Sequence, residues 1–421
     1  MEEEITDLKN FVDEFFDKNP GSKEEDLLLA LEKRFSLLME EIDRREIASD
    51  SKLYNLIVGQ IYNASPKYDA RAEYHLSKAV KLDMNLVLAW LELAVLMSKK
   101  KDPDFAIYCC EKSLEHQRTC KALFMLSYLL RMKATQQSNV SNNEKNELFR
   151  KSMACGVEAV AIDPNCGKAH VYLGNSYFVH FVRSNSSFQV LENAAECYRR
   201  ALKCDTEFRN PDLHLNYSEV LKYKQDYAGA LDHLRLARRF DPSATPKEKY
   251  ENLVTFLNNI HSAIEKKGRI KPRKYQETLE SLKGWETKLF AKKHIGDSRV
   301  ICSFSDLKVG ENSQKTLVVS VVATLSHEEQ IPVTMVVMDS TGCSFAVMIY
   351  NARSSFGFII GDVVEIKNPS VVLSENLKIS DTKIITELKM IHVSNPTQLT
   401  RNGVSIQAAS VAPTSFTLTD S

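Results

Sequence analysis

From about residue 51 to residue 242 the chain repeats one pattern with a period of about 34 residues. Such a chain folds by stacking small units, each of which buries its apolar face only against its neighbours. The clearest copy begins at Gly167, with large residues at His170, Leu173 and Tyr177, a small one at Gly174, then Ala194, Tyr198 and Ala201. A second begins at Pro211 with His214, Tyr217, Ser218 and Leu221, followed by Ala230, Leu234, Ala237 and Pro242. A third begins at Val87: Trp90, Leu93, Ala94, Met97, Ala106, Cys110 and Ser113. Between Cys120 and Pro164 the same places hold Leu123, Leu126, Ser127, Leu130, Ser152, Gly156 and Ala159. A degenerate copy before Val87 keeps Ala72, Leu76 and Ala79. Polar residues 135–143 stretch one unit between its helices, and residues 180–193 lengthen the next.

Small residues at these places let two helix backbones approach, and the large ones fill the space between them. This is the tetratricopeptide pattern. It predicts an all-α superhelix over residues 51–265, with the helical stretch in residues 1–50 capping its end, where a stack needs a more polar outer face.

The rest of the chain changes character. Residues 266–274 (KKGRIKPRK) carry six cations, Lys266, Lys267, Arg269, Lys271, Arg273 and Lys274, and no acid. Pro272 is expected to interrupt any helix there. Gln276–Lys293 reads as helix, which makes residues 266–300 a basic linker and helix. From Lys315 the apolar period becomes two. Candidate strands are Thr316–Leu325, Ile331–Met338, Cys343–Tyr350, Val363–Lys367 and Ile384–Val393. A short helix near Asn351–Phe356 would complete an all-β barrel of the OB type over residues 301–395, with a generic β-sandwich as the competing reading. The Ser/Thr-rich residues 396–421 read as disordered.

Composition narrows function. Lys and Arg total 55, as do Asp and Glu, so a nucleic-acid contact must come from a local patch. The candidate barrel holds five basic and eight acidic residues between Leu317 and Val393, which disfavours single-strand binding there and suggests a protein-contact or packing module. The start, MEEEITDLKN, lacks the features of a secretory signal. No apolar run approaches the roughly 18 residues of a membrane span. The nine scattered cysteines form no CxxC pair and read as reduced thiols, not as a disulfide framework or zinc site. No catalytic motif is present, so no enzyme, metal or cofactor is expected. His170, His214 and Trp90 fall at repeat position 4, a packing position.

The functional signal lies on the concave face, lined by positions 2, 5, 6, 9, 12 and 13 of each first helix. These positions hold Tyr128 and Arg131 in one copy, Lys168, Tyr172 and Asn175 in the next, and Asp212, Asn216, Glu219 and Lys222 in the last. Asn175 and Asn216 can pair with any extended peptide backbone, because an amide both donates and accepts. Val171 stands where a chaperone-tail clamp would need a lysine. Arg131 with Asp212 and Glu219 suits a peptide carrying both signs of charge.

SKAVKLD (77–83), YLGNSY (172–177), NPDLHLN (210–216), FAVMIYN (345–351) and IIGDVV (359–364) resemble the tetratricopeptide repeat protein five family, also called Strap, over about residues 50–395. The resemblance implies a monomeric, non-enzymatic adaptor of cytoplasm and nucleus. It implies recognition of the N-terminal Met-Arg-Glu peptide of nascent tubulin at the exit of the large ribosomal subunit. An mRNA-decay adaptor and a deadenylase complex are then recruited to degrade the tubulin message. By the same resemblance Arg131 meets the peptide, Asp212 meets its arginine, Lys271 and Arg273 face ribosomal RNA, and Lys81 recruits the decay adaptor. A further groove acid of the family falls near Thr245 or Pro246, with Glu248 as a substitute. The alternatives are a nuclear scaffold in stress-responsive transcription, with histone acetyltransferase coactivators as partners, and a nucleic-acid binder acting through the barrel.

Overall fold

A computed structural model describes residues 2–19, 21–45, 51–136, 141–184, 188–241, 243–291, 300–325, 332–353, 355–380 and 383–412. Two compact units result: Met1–Ser176 with Arg200–Cys204, and Tyr177–Arg199 with Asp205–Ser421.

The first unit opens with α1 (Glu2–Lys18) and α2 (Glu24–Arg44), then runs through α3 (Lys52–Asn63), α4 (Ala70–Leu82), α5 (Val87–Lys99), α6 (Pro103–His116), α7 (Cys120–Gln136) and α8 (Asn142–Ile162). Leu8 and Phe15 of α1, with Leu27, Leu31, Phe35 and Ile42 of α2, form one apolar cluster with Ile57, Val58 and Ile61 of α3. The small repeat positions act as expected. A Cβ on Gly59 would lie 2.6 Å from Leu76 Cγ, and one on Gly156 would lie 3.0 Å from Leu173 Cδ1. Gly59 marks the first helix of the degenerate copy. Side chains of Asp69, Asp102 and Ser141 accept first-turn N–H groups and start α4, α6 and α8.

Helix α9 (Gly167–Ser184) crosses from one unit to the other; α10 (Phe188–Ala201), α11 (Asp205–Phe208), α12 (Pro211–Tyr223), α13 (Tyr227–Phe240) and α14 (Ala244–Glu265) follow. A 3-10 turn at Lys267–Arg269 then leads into α15 (Pro272–Ala291). Pro272 begins this helix instead of interrupting one, because a first-turn residue has no intrahelical N–H bond to lose. Lys292 and Lys293, also expected in it, lie outside the described residues.

The strands are β1 (Val300–Cys302), β2 (Gly310–Glu311), β3 (Lys315–Leu325), β4 (Val333–Asp339), β5 (Ser344–Ile349), β6 (Val363–Lys367), β7 (Ser370–Lys378), β8 (Ile384–Val393), β9 (Leu399–Arg401) and β10 (Val404–Ser405). β3 pairs antiparallel with β4 and β6, β4 with β5, and β7 with β8, while β5 and β8 run parallel. β6 and β7 are one strand broken at Asn368 (φ 48°) and Pro369, and this break lets it pair with β3 at one end and β8 at the other. The sheet closes in the manner of an OB barrel.

Two further expectations are overturned. Among the described residues of 351–356 no helix forms: Asn351 is left-handed (φ 52°) and Ala352 makes a bridge to Val411. The segment from 396 is ordered as far as 412. Leu399 and Thr400 are buried, and β9 pairs with β6 through Leu399–Ile366 and Thr400–Glu365. Its Ser/Thr content hid a short strand held between β6 and β10. Residues 413–421 lie outside the described residues.

β4 and β5 are buried on both faces. Met335, Val337, Phe345, Val347 and Ile349 fill the barrel. Val336 and Met338 point outward and pack with Val322 against Ala263 and Ile264 of α14, Ile270, and Tyr275 and Leu279 of α15. Met348 Sδ lies 3.0 Å from the Tyr227 hydroxyl, Tyr350 packs on Tyr223 with ring centroids 4.6 Å apart, and Ser374 Oγ donates to the Gln225 carbonyl at 2.7 Å. Leu282, Trp285 and Leu289 of α15 pack on Val318, Val363 and Ile301. Unbroken apolar runs in VTMVVMD and FAVMI carry this signal, since a strand with one wet face alternates.

Candidate functional site

Concave-face residues occur in each unit. In the first, Arg131 is 1% exposed and its guanidinium lies 5.8 Å from the Tyr128 ring centroid. Tyr128 contacts Tyr172 at 5.4 Å, and Tyr172 stacks on Phe124 at 5.5 Å. Asn175 is buried, and Lys168 on the same helix is exposed. Behind them Ser127 Oγ donates to the Ser152 carbonyl at 2.8 Å and Ser152 Oγ to the Ser127 carbonyl at 2.7 Å, which holds α7 tightly to α8. Arg131 therefore sits in the wall of the face and not on its surface.

The same unit contains an acid that sequence reasoning passed over. Glu92, at position 6 of α5, is 2% exposed. Its carboxylate accepts from Asn63 Nδ2 at 2.9 Å and Lys9 Nζ at 3.1 Å, with Lys121 Nζ at 3.6 Å. Burial alone would raise its pKa, but Lys9, Lys121 and the Asn63 hydrogen bond outweigh burial and hold it below the usual carboxylate value. A cavity of about 880 Å³ opens here, with Glu92, Lys9 and Lys121 facing apolar Leu53, Leu56 and Leu88. The signal was a lone acid in the apolar run VLAWLELAVLM.

In the second unit, α12 carries Asp212, Asn216, Glu219 and Lys222 at spacings that share one helix face. Asn210 caps the helix, accepting from the Asp212 and Leu213 N–H groups. Asp212 and Lys222 are half-buried, while Asn216 and Glu219 are buried. Lys222 Nζ lies 2.6 Å and Lys249 Nζ 2.9 Å from the Glu219 carboxylate. On α14, Thr245 and Glu248 are exposed and Pro246 is buried; Lys249, not Glu248, turns toward Glu219. A cation thus stands where an acid was sought.

Position 4 is structural in three copies. Trp90 Nε1 donates to the Met84 carbonyl (2.8 Å), His170 Nε2 to Pro164 (2.9 Å) and His214 Nε2 to Phe208 (2.8 Å), each six residues back. A carbonyl only accepts, so His214 carries its proton on Nε2, and its Nδ1 accepts from His233 Nδ1 at 2.8 Å. Cys109 and Cys110 are buried, and burial pushes the Cys109 thiol up to about 12, so neither is a nucleophile.

The basic segment is a built turn. Lys267, Gly268 and Arg269 take consecutive left-handed conformations (φ 47°, 63° and 59°). Lys266, Arg269, Lys271, Arg273 and Lys274 are exposed. Lys267 is tied down, its Nζ 3.1 Å from the Tyr275 hydroxyl and 4.6 Å from that ring's centroid. The Arg273 side chain is 93% exposed and pairs with Glu277 at 3.0 Å. Lys81, in the last turn of α4, is exposed. Among the described residues no helix is long and apolar enough to cross a membrane.

Residues 299–415 match the family model of the tetratricopeptide repeat protein 5 OB fold domain. Human tetratricopeptide repeat protein 5 is 29% identical over 414 residues, covering 94% of this chain and 92% of the human one. The mouse protein of that name is 31% identical over 381 residues, covering 86% of this chain and 83% of its own length. Among solved structures, a thermophilic tetratricopeptide protein from Thermus thermophilus aligns at TM-score 0.39 with 15% identity, over 49% of this chain and all of that one.

Proposed function

Because the chain belongs to the tetratricopeptide repeat protein 5 family, we propose that it is a non-enzymatic adaptor for nascent tubulin. It captures the N-terminal Met-Arg-Glu peptide at the exit of the large ribosomal subunit and triggers decay of the translated message through a decay adaptor and a deadenylase complex. The observation that carries this reading is the row on α12. Asp212 offers a half-buried carboxylate to a peptide arginine, Asn216 an amide to its backbone, and the Lys222–Lys249 pair around Glu219 a cationic place for an adjacent glutamate. Charge-assisted hydrogen bonds there each contribute about 1.5–3 kcal/mol if dry.

The exposed cations of residues 266–274 supply a phosphate-facing patch for ribosomal RNA. Two weak contacts on one ribosome reinforce each other by effective concentration, so the adaptor stays only where the right peptide emerges. Lys81, exposed on α4, is the proposed contact for the decay adaptor. The barrel contributes packing and not nucleic-acid binding: in OB folds the face of the second and third strands takes the ligand, and here its side chains Val336, Met338 and Met348 are covered by the chain's own helices.

The test is binding of the full chain to Met-Arg-Glu-Ile, with Met-Ala-Glu-Ile as control. Selective binding that Asp212→Ala weakens by about 2 kcal/mol or more supports the reading. Equal binding of both peptides, or none at high peptide concentration, removes it.

A further inference from the structure

Cys120 opens α7 and Cys166 immediately precedes α9, far apart in sequence. Folding brings them together. One donor atom each from Cys120, Cys166 and Asp163 lie within 4.8 Å of one another. Both cysteines are half-buried and Asp163 is exposed, so the cluster opens to solvent. Asp163 Oδ1 accepts the Asn165 N–H at 3.1 Å, which orients the carboxylate.

The three groups are chemically unfriendly as they stand. Deprotonating all three would gather negative charge in one small volume. A divalent cation resolves that conflict, and two sulfurs with one carboxylate form a donor set that favours a soft or borderline ion over calcium or magnesium.

We propose that Cys120, Cys166 and Asp163 form a binding site for a thiophilic divalent metal ion, zinc or its analogue cadmium. Water completes four-coordination. Binding forms two metal–sulfur bonds and one metal–oxygen bond. The two thiol protons go to solvent and no redox change occurs. Apparent affinity therefore rises with pH. The metal would clamp the start of α7 to the start of α9, the helices whose Tyr128 and Tyr172 touch one turn or more further on. The site stands on its own geometry and does not depend on the tubulin reading.

Cadmium titration of the reduced full chain tests it, followed by sulfur-to-metal charge-transfer absorption and proton release. The expected result is one equivalent bound tightly with about two protons released. Cys120→Ser and Cys166→Ser should each weaken binding by at least about tenfold, the low end of what even an outer-shell partner costs. Asp163→Asn should weaken binding but keep the absorption band, and Cys343→Ser in the barrel should change nothing. Unchanged affinity in both serine variants, or no saturable band, overturns the proposal. Because a serine variant can fail to fold, X-ray absorption of the unsubstituted chain with one equivalent of zinc gives a second reading. Two sulfurs at about 2.3 Å with oxygen neighbours support the site, and a shell of nitrogen and oxygen alone, or of four sulfurs, overturns it.

Discussion

A Cβ added to Gly268 would stand 2.2 Å from the carbonyl oxygen of Val322, in a residue whose φ is already +63°. The basic turn is thus pressed against the bulged region of β3, where the register with β4 shifts between Val321 and Ala323. Gly268→Ala should destabilise the chain by about 2 kcal/mol or more, combining left-handed strain with displacement of a sheet backbone. Gly284→Ala makes the contrast: nothing lies within 4 Å of that position, which is on the exposed face of α15. It should stabilise by up to about 1 kcal/mol, since alanine favours helix over glycine. Urea unfolding of the two variants checks both signs.

Arg131 and Asp212 should fail differently. Arg131→Ala empties a site that is 1% exposed, so loss of peptide capture there should come with lower stability, by about 1–3 kcal/mol. Asp212 is half-buried in a first helical turn, and Asp212→Ala should lose the peptide with a stability change within about 1 kcal/mol. Thermal unfolding beside peptide titration separates the two; loss of stability in Asp212→Ala alone would contradict the assignment.

Lys271→Glu with Arg273→Glu should leave peptide binding intact and reduce ribosome association. Both residues are exposed, and the Arg273–Glu277 pair that is lost contributes little to folding. The affinity of the unsubstituted chain for ribosomes should fall steeply with salt, and that of the double variant less steeply. Parallel salt dependence in the two would sink the phosphate contact.

Acid should loosen the second unit through its buried histidines. His392 stacks on Tyr350 at 4.7 Å, and burial holds its pKa down to about 4. Burial, and then His214, does the same for His233, also to about 4. An unfolded histidine titrates near 6.5. Between about pH 4 and 6.5 the unfolded chain binds protons that the folded chain refuses, so stability is full above that window and falls as pH drops through it. His392→Phe should flatten the decline, as read from urea midpoints across the window.

The helix pairs were legible because their spacing is a local property. Gly156, Ser127 and Ser152 sit where two backbones must nearly touch, and only small residues fit there. Chain order alone therefore determined the tetratricopeptide pairs, the five principal strands, the position of the basic segment and the structural role of Trp90, His170 and His214. The strand Ser370–Lys378 escaped because Asn368 and Pro369 resemble a turn, yet they only bend one strand so that it can close a barrel.

What tertiary structure decided are encounters between residues distant in sequence. It placed Arg131 behind the concave surface, joined Lys9 of the first helix to Glu92, and turned Lys249 instead of Glu248 toward Glu219. It set Cys120 beside Cys166 and Asp163, and buried the outer face of β4 and β5 under helices. A repeat period specifies which face of each helix is buried, but not which polar group crosses to meet it. Burial and charge pairing settle that only once the whole chain has folded.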